Sequence, residues 1–160
     1  MAFRTDYDSI QRFILPAGDY EMVVTHTQYD TTRGGTDYVN IHLTVREDVE
    51  QPHKGQRLEH PLWKSKNPNA ADMAIGGYSM ANLCHISRGV GLPNDMEFES
   101  LSDWMAHIRG RAVRVSVEHE EYRGNTNARV KGFYSTRFPE VKHELPALPE
   151  AIVSDDELPF

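Results

Sequence analysis

Residues 38–46 carry the strongest constraint on what this chain can fold into. Val39, Ile41, Leu43 and Val45 alternate with Tyr38, Asn40, His42, Thr44 and Arg46, and a repeat of two is the pattern of a β-strand with one face in a core and the other turned out. A strand of that kind needs neighbours. Upstream, Tyr20 to Tyr29 follows the turn signal Pro16-Ala17-Gly18 and is rich in β-branched and aromatic residues, so it reads as a first strand. Asp30-Thr31-Thr32-Arg33-Gly34-Gly35 supplies a hairpin loop between the two. Pro52 and Gly55 close the second strand, and Gln56 to Trp63 is a weaker third, stopped at Pro61 or shortly after.

Between Asn67 and Pro93 the period changes. Ile75, Tyr78, Leu83, Ile86 and Val90 fall near one stripe at helical spacing. Gly76-Gly77 weakens the first turn, so the secure helix begins near Tyr78 or Ser79, with Arg88 followed by Gly89 as its C-terminal cap. A second short helix is expected from Ser102 to Ile108, with Leu101, Trp104 and Ile108 as core. Val113, Val115 and Val117 then alternate with Arg114, Ser116 and Glu118. After the turn Arg123-Gly124-Asn125-Thr126-Asn127 comes a last strand, Arg129 to Tyr134. Past Phe138, prolines at 139, 146, 149 and 159 with few bulky groups predict a disordered acidic tail. Residues 1–138 thus read as one domain and 139–160 as its tail. Three strands, a helix and two more strands, with a short second helix, is the element order of an OB-fold, a five-stranded Greek-key barrel; a plain α+β sheet is the alternative.

The chain has 160 residues, one domain's worth. Its longest apolar stretch is far short of a membrane span, and Met1 to Asp8 shows no secretory signal, so a soluble cytoplasmic protein is expected. The single cysteine, Cys84, excludes an internal disulfide and is expected to be buried and inert on the helix. Net charge is −7, but unevenly spread. From Glu140 onward six acids face one base, −5, which leaves −2 for the 139 residues before it. Within Arg109 to Arg137, seven bases face three acids. A basic second half dragging an acidic tail points to a nucleic-acid partner.

Unpaired nucleic acid needs cations to track phosphates and flat rings on which bases stack. An OB-fold binds through its second and third strands and the loops joining strands one to two and four to five. At those places stand Arg33 in the first loop; Tyr38, His42 and Arg46 on the outward face of strand two; Arg57, Trp63, Lys64 and Lys66 on and after strand three; and Tyr122 and Arg123 at the second turn. Arg129, Lys131 and Phe133 share a face of strand five if Val130 points inward. Trp63 fits a barrel plug as well as a stacking platform.

Enzyme readings have less behind them. The histidines, among them His53, His60, His85, His107 and His119, lack zinc-ligand spacing, and Gly34-Gly35 and Gly76-Gly77 lack the remainder of a phosphate loop. His119-Glu120-Glu121 could be imagined in a metal-dependent nuclease, yet neighbouring strand residues point to opposite faces. No catalytic residue, metal or cofactor is expected.

The most specific feature is the end, Asp155-Asp156-Glu157-Leu158-Pro159-Phe160. Acids lead into an apolar residue, a proline and a terminal phenylalanine, a combination suited to filling an apolar pocket with a basic rim. This tip resembles that of bacterial single-stranded DNA-binding proteins, with Glu157 in place of an aspartate. In that family the tip recruits replication, recombination and repair proteins and competes with DNA for the body's basic surface. The body, through Leu15-Pro16-Ala17-Gly18-Asp19-Tyr20, Gly55, Leu83, Gly89-Val90-Gly91-Leu92 and Gly110-Arg111, resembles a phage-encoded family, DUF669, regarded as single-stranded DNA-binding. The resemblance implies a sequence-tolerant, non-enzymatic protein in the cytoplasm of a bacterial host. Its body coats single-stranded DNA and Asp155 to Phe160 dock partners, with homo-oligomerisation open. A protein-binding adaptor without DNA affinity and a small metal-dependent nuclease are the alternatives.

Overall fold

The computed structural model describes residues 2–7, 13–143 and 145. Five strands, β1 (Gly18–Thr31), β2 (Asp37–Val45), β3 (Arg57–Leu62), β4 (Ala112–Tyr122) and β5 (Asn125–Tyr134), form one antiparallel sheet in the order β3-β2-β1-β4-β5. Three helices, α1 (Ala70–Ala74), α2 (Met80–Gly89) and α3 (Leu101–Ile108), all lie between β3 and β4. None of these helices is long and apolar enough to cross a membrane.

The alternation in β2 behaves as its sequence predicts, with Val39, Ile41, Leu43 and Val45 fully buried. The register sets them against Leu58 and Leu62 of β3 and Met22 and Val24 of β1. On the far side of β1, Val113, Val115 and Val117 of β4 extend the same apolar face, which Leu83, Ile86, Trp104 and Ile108 cover from the helices. The Trp104 indole donates to Ser87 Oγ at 2.9 Å, so this buried N–H has its partner.

Two bulges decide which side chains face where. In β1 the register slips between Val24 and His26, leaving Thr25 as the extra residue. In β5 it slips so that Val130 pairs with Val117 and Gly132 with Ser116, with Lys131 as the extra residue. An inserted residue reverses the facing of everything beyond it. Phe133 therefore lies opposite buried Val115 and turns toward the core, which corrects the expectation that Arg129, Lys131 and Phe133 share one face.

The expected helix over 67–93 is two. Asn69 caps α1, accepting from Asp72 N at 2.8 Å while Asp72 Oδ2 accepts from Asn69 N at 3.2 Å. Gly76 and Gly77 then take φ of +78° and +91°, which ends α1 before Ser79 caps α2. Gly89 is the last residue of α2, packed against β5; Val90 is the C-cap, and the positive-φ glycine that follows the helix is Gly91. The β4–β5 connection is tighter than expected. Its two residues, Arg123 and Gly124, have φ of +52° and +79°, a primed hairpin turn that matches strand twist.

The sheet is open. β3 and β5, its two ends, lie side by side, with the His60 and Phe133 rings 4.9 Å apart, but no ladder joins them. Pro61 on β3 has no N–H to offer another strand, and the bulge at Lys131 interrupts the regular run of β5. What stands is a mainly β fold of five antiparallel strands in an open sheet with three helices, not a closed five-stranded barrel.

After β5 the chain does not leave the body at Phe138. Thr136 Oγ1 donates to Glu21 Oε1, and Arg46 donates to the carbonyls of Phe138 at 2.6 Å and Glu140 at 2.9 Å. Lys142 N donates to Asp48 Oδ2 at 2.7 Å, and Glu47 N to His143 Nδ1 at 3.1 Å. Residues 136–143 form a strap across the ends of β1 and β2, which corrects the boundary at 138. The expected tip, Asp155 to Phe160, lies outside the described residues.

Candidate nucleic-acid interface

A groove of about 660 Å³ runs along the seam between β3 and β5 beneath α2. Trp63, just past β3, and Tyr134, at the end of β5, are both exposed and line it, and His60 and Phe133 meet edge to face within it. Arg88 and His85 of α2 and Arg129 and Lys131 of β5 bring in basic groups. This geometry follows from local sequence. Gly89 lets α2 sit on β5, because a Cβ there would come within 2.7 Å of Phe133 Cβ. The bulge at Lys131 sets that side chain out, exposed, while Phe133 turns in.

The four basic groups are not equivalent. Arg129 is committed to its own sheet, with Nη1 2.9 Å from Glu120 Oε2 and Nε 3.6 Å from Glu118 Oε1. Arg88 Nη2 lies 3.4 Å from His85 Nδ1, and no ion pair among the described residues engages Lys131. Burial, reinforced by the Arg129 charge, pushes the His60 imidazole down to about 4, so it is neutral at pH 7.

Of the thirteen residues singled out in the sequence, Trp63, Arg129, Lys131 and Phe133 are thus brought together. Tyr38 joins them through Trp63, their rings 4.6 Å apart and inclined at 35°. Lys64 Nζ sits 5.5 Å from the centre of the Tyr78 ring, and Lys66 is exposed beyond it. Arg33 and Arg57 are exposed, but neither lines the seam. At the β4–β5 turn the Arg123 guanidinium lies 5.1 Å from the centre of the exposed Tyr122 ring, and neither residue lines the groove.

Arg46 is the clear correction. Expected on the outward face, it is fully buried, paired with Asp48 and roofed by the strap, and is unavailable to a ligand. His42 does face outward, but into a polar network. Its Nδ1 lies 3.6 Å from Glu59 Oε1, its ring 5.5 Å from that of His26, and its Nε2 is shielded with no partner among the described residues. In the same network Asn40 Nδ2 donates to Asp30 Oδ2 at 3.0 Å and Glu59 Oε1 at 2.9 Å, and Gln28 Nε2 donates to both Asp30 oxygens. Burial would raise the Asp30 pKa, but these hydrogen bonds and the two histidines outweigh it and hold the carboxyl below its ordinary value.

Sequence reading missed Arg88, taken as a cap, and His60, His85 and Tyr134. Only their convergence at the seam marks them. Cys84 is exposed on α2 rather than buried. His119 Nε2 bonds the Leu15 carbonyl at 2.9 Å and Glu120 holds Arg129; among the described residues no group of three or more His, Cys, Asp or Glu side chains is gathered as metal ligands would be.

No curated protein matches the sequence. A family model described as a protein of unknown function, DUF669, matches residues 3–151, nearly the whole chain and all of the sheet, helices and strap. With the match spanning almost all of its length, the chain belongs to the DUF669 family.

Proposed function

We propose that this is a non-enzymatic single-stranded DNA-binding protein that coats exposed strand during phage replication or recombination. Five antiparallel strands, helices between β3 and β4, and end strands that lie side by side without a ladder fit the partly open barrel of an OB-fold. The observation that carries the reading is the seam groove, where exposed Trp63 and Tyr134 stand with Lys131 and Arg88. Stacked bases on rings supply about 1 to 3 kcal/mol each, and cations that neutralise phosphate release counterions, so binding is broadly sequence-tolerant and weakens with salt. The acidic tip, Asp155 to Phe160, recruits replication, recombination or repair proteins.

Tryptophan emission tests this directly. Trp104 is buried and Trp63 is exposed, so quenching on titration with oligothymidine reports Trp63. We expect quenching with an affinity that falls as salt rises, and a lost signal in Trp63→Phe. No quenching and no anisotropy change of a labelled strand at any salt concentration would discard the reading in favour of a protein-binding adaptor. Truncation after Ser154 should leave or improve strand affinity and abolish partner capture; equal loss of both would refute that division.

A further inference from the structure

The outward face of β1, β2 and β3 beside the Tyr38–Trp63 ring pair carries a set of polar groups with a definite polarity. The register aligns Asp30 with Tyr38, Gln28 with Asn40 and Pro61, and His26 with His42 and Glu59. Asn40 is buried and directs its amide at both carboxylates, bridging β1, β2 and β3. Gln28 directs its amide at Asp30, and its Oε1 accepts from His26 Nε2 at 2.9 Å. The amide donors of Asn40 and Gln28 are thus spent on the acceptors of this same face. The ties made by Glu59 run to Oε1, and with its side chain 60% exposed the second carboxylate oxygen is left for a ligand.

Phosphate gains nothing from such a surface. A base does: in single strands the Watson–Crick edges are unpaired, and a carboxylate accepts from the amino group of cytosine. Thymine presents a carbonyl oxygen at the equivalent position, which a carboxylate repels. Tyr38 and Trp63 supply the ring surface at the edge of the set: Tyr38 pairs with Asp30 across the β1–β2 ladder and is the next outward-facing residue of β2 before Asn40, which holds Glu59.

We infer that Glu59, held by Asn40 beside the Tyr38–Trp63 rings, accepts a hydrogen bond from the exocyclic amino group of a bound base and biases binding toward amino-bearing bases over thymine. This rests on the single-stranded DNA reading and adds a base preference to it.

The experiment is a pair of titrations with labelled oligodeoxycytidine and oligothymidine of equal length, at low salt and mildly alkaline pH, followed by anisotropy. Oligodeoxyuridine serves as the control for the thymine methyl. Wild type should prefer cytosine over both others by about fivefold or more. In Glu59→Gln, an exposed and conservative change, the ratio should fall toward one, since a carboxamide serves either base. Equal affinities in wild type, or a ratio unmoved by Glu59→Gln, would overturn the inference and leave the DNA-binding reading intact. Failure of every strand to bind would overturn both.

Discussion

The Arg46 guanidinium and the Asp48 carboxylate meet at two points, Nε to Oδ1 at 2.9 Å and Nη2 to Oδ2 at 2.7 Å, with Arg46 fully buried and its remaining donors turned to the strap's carbonyls and the Thr136 hydroxyl. A buried charge left without its partner destabilises a fold by about 3 to 5 kcal/mol. Asp48→Asn should lower stability by that order and speed amide exchange at Lys142, whose N–H Asp48 holds. The Arg46 hydrogen bond, opposed by burial and aided by the Lys142 N–H, brings the Asp48 carboxyl down to about 2. Because the folded value lies below the unfolded 3.8, this stabilisation is complete above about pH 4 and is lost as pH falls toward 2. An Asp48→Asn protein with wild-type urea midpoint and exchange would show that the strap is not held this way.

Gly89 marks where α2 rests on β5. A methyl there meets Phe133 Cβ at 2.7 Å, Val113 Cγ2 at 3.2 Å and the Phe133 carbonyl carbon at 3.3 Å. Helix propensity alone would favour alanine, but overpacking of this kind costs about 1 to 3 kcal/mol. Gly89→Ala should therefore lower the urea midpoint and reshape the seam groove. A stabilised variant would mean that α2 is free to lift from the sheet.

His60 gives stability a dependence on pH. Its folded pKa of about 4 lies below the ordinary 6.5, so the unfolded chain takes up the proton first as pH falls. Its contribution is complete above about pH 6.5 and declines between there and 4. His60→Phe should flatten that part of the stability profile. A slope of the same size in the variant would assign it to another group.

Lys131 and Arg129 are separable. Arg129 is held by Glu118 and Glu120, whereas Lys131 stands out on its bulge. Charge reversal at Lys131 should weaken binding to all strands alike and reduce the salt slope by about one. Reversal at Arg129 should change affinity less and stability more. The opposite ranking would place the phosphate path on the outer side of β5.

The strands and the core were legible because they depend on local repetition. Val39, Ile41, Leu43 and Val45, and then Val113, Val115 and Val117, recur every second residue, and each of them is buried. Trp104 and Ile108 at helical spacing are core for the same reason. The site was legible only in part. Trp63, Tyr38 and Lys131 announce themselves by residue type, while Arg88 looks like any basic residue near a helix end until α2 is laid over β5.

What sequence alone determined is the facing of residues within each regular strand, since side-chain direction in an unbroken strand is set by parity. Tertiary structure decided the rest. The bulge at Lys131 reverses parity and turns Phe133 inward, and it arises only from pairing β5 against β4. Arg46 has the outward parity of a ligand-binding residue, yet the strap from ninety residues downstream covers it. Parity is a property of neighbouring residues, but burial depends on what the remainder of the chain lays across a face, and no local pattern carries that information.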